Sequence, residues 1–280
     1  MLIYVALLSD VCAGFTAAIL ACPLVSAVDR AVAEHAATKN SSLPQLFFRS
    51  LQNTIQHPLQ YARSTEFLFV WLLIGGTFAT VNSLETLEAH AGQSKLGKAA
   101  VVTGVNTGLA ILKDAKFAAA FKAGPPAAIP LASYAAWLGR DLIGMGLIFQ
   151  APRVLASTKE GGIVKQLGST NLRTASIDQE RFLAASIVIP FAVQVIVTPL
   201  HLLGYSFYNS PSMKPIERFR QVMGNGKDLG AAVGLRMLRQ GPAFSLGTLC
   251  NHHLRDRLHA ATGQLGTLAP GGAARGPGSL

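Results

Sequence analysis

Half of the 280 residues are hydrophobic, only 14% are charged, and the mean hydropathy is +0.37, a balance that excludes an ordinary soluble two-domain protein and places the sequence among membrane proteins. The formal net charge of +10 suits anionic headgroups, an anionic solute, or the collection of Lys and Arg on one side of a membrane, and does not choose between them. Cys12, Cys22 and Cys250 form no CxxC and meet no paired His spacing, so no disulfide framework, metal site or cofactor is expected.

The first apolar segment, Leu2 to Val28, is interrupted only by Asp10 and closes with Pro23 and Asp29-Arg30. No basic stretch precedes it and Asp10 sits inside it, so a retained helix is expected over a cleaved signal peptide. Ala13, Gly14, Ala17 and Ala18 form a small-residue face that lets membrane helices approach closely. The polar stretch from Arg30 to Arg63 contains the amphipathic piece LPQLFFRSLQNTI, which suits the membrane interface. Phe67 to Val81 is the next span, with Trp71 expected to face lipid. Ala99 to Leu112 follows, with Gly104 and Gly108 at the GxxxG spacing of a close helix contact, and it ends in Lys113-Asp114.

Beyond Gly124-Pro-Pro126, the segment Ile129 to Phe149 carries Arg140-Asp141, a pair that is costly in lipid and belongs in a bundle interior or at the membrane boundary. A hydrophilic connection, Ala151 to Arg181, leads to Phe182–Tyr208, which has no charge as far as Leu200 and is long enough to cross a bilayer. Pro199 is expected to hinge that helix, as Pro23 hinges the first. Gly230 to Cys250 is the sixth segment, and residues 259–280 form a Gly- and Pro-rich tail expected to be disordered. Pro23 and Pro199 lie 176 residues apart, two repeat lengths of roughly 90. The expectation is an all-α membrane protein: six transmembrane helices in three tandem helix-pair repeats, residues 1–92, 93–175 and 176–258.

Pro23 with Arg30, Pro199-Leu-His-Leu-Leu-Gly, the run from Arg140 to Phe149 and above all GLRMLRQGPAFSLGTL, Gly234 to Leu249, resemble the helix signatures of the mitochondrial carrier family. The resemblance runs from about Tyr4 to Arg257. It implies a carrier-like bundle in the mitochondrial inner membrane, gated by a ring of salt bridges from Pro-x-(Asp/Glu)-x-x-(Lys/Arg) on the odd helices. Exposed pairs contribute about 1 kcal/mol each, so such a ring can open for a solute of comparable binding energy. The sequence departs at those positions. Val25 and Val28 follow Pro23, His201 and Gly204 follow Pro199, and Thr107, Leu109 and Leu112 stand in the middle repeat.

A shifted gate network of Asp29, Arg30, Lys113, Asp114 and His201 is therefore expected, with Arg140, Arg239 and Asp10 as the residues facing a solute. Arg140 and Arg239 also suit interfacial anchoring, and His201 also suits a plain polar helix mouth. Two functions remain open. One is a divergent carrier moving a small anionic metabolite by alternating access. The other is a transport-inactive accessory subunit of a respiratory or ATP synthase membrane complex. Expected partners are membrane lipid, anionic lipid such as cardiolipin included, and, on the second reading, other subunits of an inner-membrane complex. No nucleic acid is expected. Neither is an enzyme, because no nucleophile–base spacing, P-loop or metal cluster occurs.

Overall fold

The computed structural model describes residues 2–39, 41–91, 95–122, 127–156, 185, 188–241 and 246–268, and among these it contains helices and no strand. Helix α1, Leu2–Thr38, has 37 residues. At 1.5 Å per residue it is about 55 Å long, well over the roughly 30 Å of a hydrocarbon core. It passes through Pro23 unbroken, since a membrane bundle tolerates the one backbone donor that proline removes. Lys39, with φ 54°, turns the chain at its end.

Next come α2, Leu43–Gln56, and the short α3, Pro58–Ala62, then α4, Thr65–Ala91, α5, Lys95–Phe121, and α6, Leu131–Ala156. A helical segment from Val188 is interrupted by a turn at Val193 and resumes as α7, Gln194–Asn209. Pro199 lies inside α7 without breaking it, so neither proline is the expected break. The interruption falls six residues earlier, at Val193. Finally, α8 is Pro215–Gly224, α9 is Gly226–Gly241 and α10 is Gly247–Leu268. The expected sixth span is thus two helices, and residues 259–268 of the expected disordered tail are helical. Gly124 to Pro126, residues 157–184, Pro242 and residues 269–280 lie outside the described residues.

Among the described residues, three helical stretches are long and apolar enough to cross a membrane: Ile3–Thr38, Thr65–His90 and Val188–Asn209. Helices α5 and α6 reach comparable lengths but carry Lys113-Asp114 and Arg140-Asp141 in their middles. The expectation of six spans in three tandem repeats is met only that far.

The core forms where α1 packs antiparallel on α4, with Arg30 near Glu66 at one end and Asp10 near Asn82 and Thr86 at the other. The small face of α1 makes this possible. Ala13, Ala17 and Ala18 are fully buried, and a β-carbon on Gly14 would stand 2.6 Å from the Ala79 backbone nitrogen. Trp71 does not face lipid, because its Nε1 donates to the Phe15 carbonyl at 2.8 Å and its ring lies 4.7 Å from the Phe15 ring. A burial site for the indole N–H was worth more than lipid contact. Gly104 and Gly108 have open space where a side chain would be, so their spacing marks no helix contact among the described residues. Across α6 and α7, buried Trp137 sits over Gly204, where any β-carbon would enter the indole.

The connecting helices are amphipathic. Helix α2 buries Leu43, Leu46 and Phe47 and exposes Phe48 and Ile55, as its sequence pattern predicts. Helix α8 exposes Ile216 and Phe219 and is anchored by buried Arg218, which donates to Ser206 Oγ at 3.0 Å and to the Ser210 carbonyl at 2.8 Å.

These contacts separate two glycine substitutions. Gly14→Ala pushes backbone against backbone and is expected to cost about 1–3 kcal/mol, read as a lower thermal midpoint in detergent. Gly104→Ala meets nothing and is expected to hold stability or raise it by up to about 1 kcal/mol, through the helix preference of alanine alone.

Candidate functional site

Neighbouring residues on a helix point about 100° apart, so Lys113 and Asp114 on α5 reach different partners. Lys113 Nζ bonds Asp29 of α1 and lies 2.8 Å from Asp114 Oδ1. Asp114 in turn binds the Arg140 guanidinium on α6. Arg140 also grips Asp141 with two parallel bonds of 2.8 Å. On the other side, Arg239 Nη1 of α9 donates to both Asp29 oxygens, at 2.7 and 3.0 Å. The result is one chain of alternating charge, Arg239, Asp29, Lys113, Asp114, Arg140 and Asp141, drawn from four helices. Asp29, Lys113, Asp114 and Arg140 are all buried. Charges so deep persist only when paired and hydrogen-bonded.

His201 on α7 joins this layer, with Nδ1 against Arg140 and 3.6 Å from Asp114. A guanidinium can only donate, so Nδ1 accepts and the ring is neutral with its proton on Nε2. Arg30 stands apart at the rim, 3.2 Å from Glu66 and 3.9 Å from Glu34. Four of the five residues expected to form a gate network therefore meet in one layer, joined by Arg140 and Arg239, and Arg30 does not.

Beside this layer lies a cavity of about 170 Å³, smaller than the 300 Å³ or more typical of drug-sized sites and fit for a small metabolite. Leu73, Ile74 and Phe78 of α4 and Met145 and Ile148 of α6 give it apolar walls. Its polar lining is Thr77, Asn106, Gln194 and Gln240 with Arg140, Asp141, Arg236 and Arg239. Val193, the turn that precedes α7, lines the cavity, and so does Gln240, next to the last described residue of α9.

Arg236 is the distinctive group in this cavity. It is 2% exposed, its Nε donates to Gln194 Oε1 at 3.3 Å, and its Nη1 has no partner. It forms no ion pair with any carboxylate among the described residues, whereas Arg140 and Arg239 are both paired. A buried cation is costly where no carboxylate among the described residues pairs with it. Sequence reasoning passed over Arg236 in favour of Arg239. The signal was available in Leu235-Arg-Met-Leu-Arg239, since residues three and four apart share a helix face, which turns Arg236, Arg239 and Gln240 toward one cavity.

Asp10 is not in the cavity. Fully buried, it accepts from Thr86 Oγ1 at 2.5 Å and Arg255 Nε at 2.8 Å, with His259 Nε2 2.9 Å away. Arg255 continues to Glu85 at 2.5 Å, and Glu85 to Lys98 at 2.8 Å. Asn82 and Asn251 exchange paired bonds of 2.8 and 2.9 Å beneath them. Asp10 and Asp29 are 19 residues apart on α1, about 28 Å at 1.5 Å per residue. On α5, Asn106 falls between Lys98 and Lys113, about 12 and 11 Å from each by the same rise. The cavity thus sits between the buried Asp29 layer and the partly exposed ionic layer around Asp10.

Residues 13–259 match the family model described as probable citrulline exporter. The chain belongs to the probable citrulline exporter family. No curated protein matches it. Membership in this exporter family corrects the resemblance to mitochondrial carriers, since the match takes in nearly the whole stretch on which that resemblance rested. Prolines, arginines and glycines at helix ends, which carried the resemblance, serve any bundle of long apolar helices. The paired acid and base that distinguish the carrier gate are missing at Val25, Val28, His201 and Gly204. Transport across a membrane is the class this family indicates.

The ionic layer has a measurable signature in this exporter-family chain. Asp114→Asn leaves Lys113 and Arg140 short of a shared buried carboxylate and is expected to cost about 3–5 kcal/mol, read as thermal unfolding in detergent. Arg30→Gln, at the exposed rim, is expected to cost no more than about 1 kcal/mol.

Proposed function

We propose that the protein is a multi-pass membrane exporter that moves citrulline, or an amino acid close to it, by alternating access through the cavity between the two ionic layers. The observation that carries this reading is Arg236, a buried guanidinium in the cavity wall with an unpartnered Nη1 and no ion pair with a carboxylate among the described residues. One such cation matches one α-carboxylate. Asp141 lines the same cavity, and although Arg140 uses both of its oxygens, each keeps a lone pair for an ammonium group. A zwitterion finds a partner here for each of its charges, the carboxylate at Arg236 and the ammonium at Asp141.

On this reading α5, α6 and the α9–α10 pair also cross the bilayer, with their charges turned into the bundle, where membrane-embedded ionisable residues belong. Binding shifts the balance between states closed at the Asp29 layer and at the Asp10 layer by as much as the solute prefers one over the other. Assignment to the mitochondrial inner membrane rested on the carrier resemblance and loses that support.

The test is efflux of labelled citrulline from proteoliposomes containing the purified protein. Arg236→Gln is expected to reduce the rate at least about 30-fold, as loss of one partner from a buried ionic contact does, with the thermal midpoint in detergent held or raised. Undiminished efflux by that variant, or none by the unaltered protein with any amino acid, would sink the proposal.

A further inference from the structure

The cavity offers more than a place for a carboxylate and an ammonium. It also presents primary amides from three separate helices, Asn106 on α5, Gln194 on α7 and Gln240 on α9. They are not equivalent. Gln194 is committed to the protein, since its Oε1 accepts from Arg236 at 3.3 Å and its Nε2 donates to the Pro190 carbonyl at 3.2 Å. Its work is to hold the guanidinium in place. Asn106 is only loosely committed, because Thr77 Oγ1, 3.2 Å from its amide, has a single hydrogen and already donates to the Leu73 carbonyl at 2.7 Å. The Asn106 amide therefore keeps most of its donor and acceptor capacity. Gln240 follows Arg239 on the cavity face of α9 and is buried to 7% exposure.

The charges narrow the solute further. Arg140 and Arg239 are neutralised by Asp114, Asp141 and Asp29, so Arg236 is balanced by the α-carboxylate and no anion remains for a second ammonium. An amino acid with a cationic side chain would bring its charge into a wall carrying three arginines and one aspartate. A second carboxylate would find only arginines already paired. What the wall accepts is a neutral side chain rich in donors and acceptors.

We infer that Asn106 and Gln240 are the specificity residues, reading a neutral ureido or carboxamide group at the end of the solute's side chain while the arginine wall refuses a cationic one. This inference rests on the proposed amino-acid transport and assigns the selection within it. An amide is both donor and acceptor, as is a ureido group, so two amides can satisfy both ends of it. An apolar side chain of equal length leaves them unpaired in a closed cavity, at the cost of unsatisfied polar groups.

The experiment measures inhibition of labelled citrulline transport in proteoliposomes by unlabelled citrulline, norleucine and ornithine. For the unaltered protein, citrulline is expected to compete at least about 10-fold better than either analogue. Asn106→Leu and Gln240→Met, each checked for an unchanged thermal midpoint, are expected to lower the citrulline-to-norleucine ratio about 10-fold or more while norleucine still inhibits. Asn106→Asp is expected to raise competition by ornithine specifically, through the added anion. Absence of any amino-acid transport would overturn the underlying reading together with this one. Citrulline transport without discrimination against norleucine, or with ratios unmoved by the three variants, would overturn this inference alone.

Discussion

Everything in this bundle depends on the pairing of Lys113 and Asp114 with partners on opposite sides of α5. These adjacent charges touch each other at 2.8 Å and, about 100° apart around the helix, each also reaches a different neighbour. Lys113 fixes α1 through Asp29, and Asp114 fixes α6 through Arg140. Arg239 then ties α9 to the same carboxylate on α1. A displacement of any one of these helices strips a charge of its counterion where water does not repay it. The helices therefore move together between whole arrangements, and small independent shifts are disfavoured.

This coupling also explains why one arginine is left over. The chain of alternating charges runs from Arg239 at one end to Asp141 at the other, and Arg236 has no place in it. Its neighbours supply a neutral amide, which orients the guanidinium without cancelling it. The cavity keeps a net field that favours one negative charge, and it does so between apolar walls where that field is little screened.

Much of the bundle could be read from the residues. The long apolar runs of α1, α4 and α7 identify themselves, as does the small face around Gly14, because a bilayer and a close helix contact impose simple compositional demands. The charges Asp29, Lys113, Asp114 and Arg140 stood out for a similar reason, being expensive where they are. Other features depend on depth and partner, which a sequence does not carry. Gly104 and Gly108 have the spacing of a contact but no helix opposite. Asp10 looked like a solute ligand because a lone carboxylate in an apolar run invites that role, and only the arrival of Arg255 and Thr86 reveals it as internally satisfied. Arg236 and Arg239 could not be ranked from Leu-Arg-Met-Leu-Arg, since pairing with Asp29 decides between them. The family was misjudged because helix-end prolines and arginines reflect membrane packing in general more than one lineage.

The Asp10 cluster bears on how the protein is made. Asp10 finds Arg255 across 245 residues of chain and His259 across 249, and Asn82 finds Asn251 across 169. Chains emerge from the ribosome N-terminus first, at about 5–20 residues per second, so α1 enters the bilayer with a carboxylate whose counterion has yet to be synthesised. Until α10 arrives, that end of the nascent bundle holds an unpaired acid beside the amide of Asn82. The last described helix serves as the clasp of the first, and a chain that stops short of it leaves Asp10 without Arg255, to be neutralised by a proton instead.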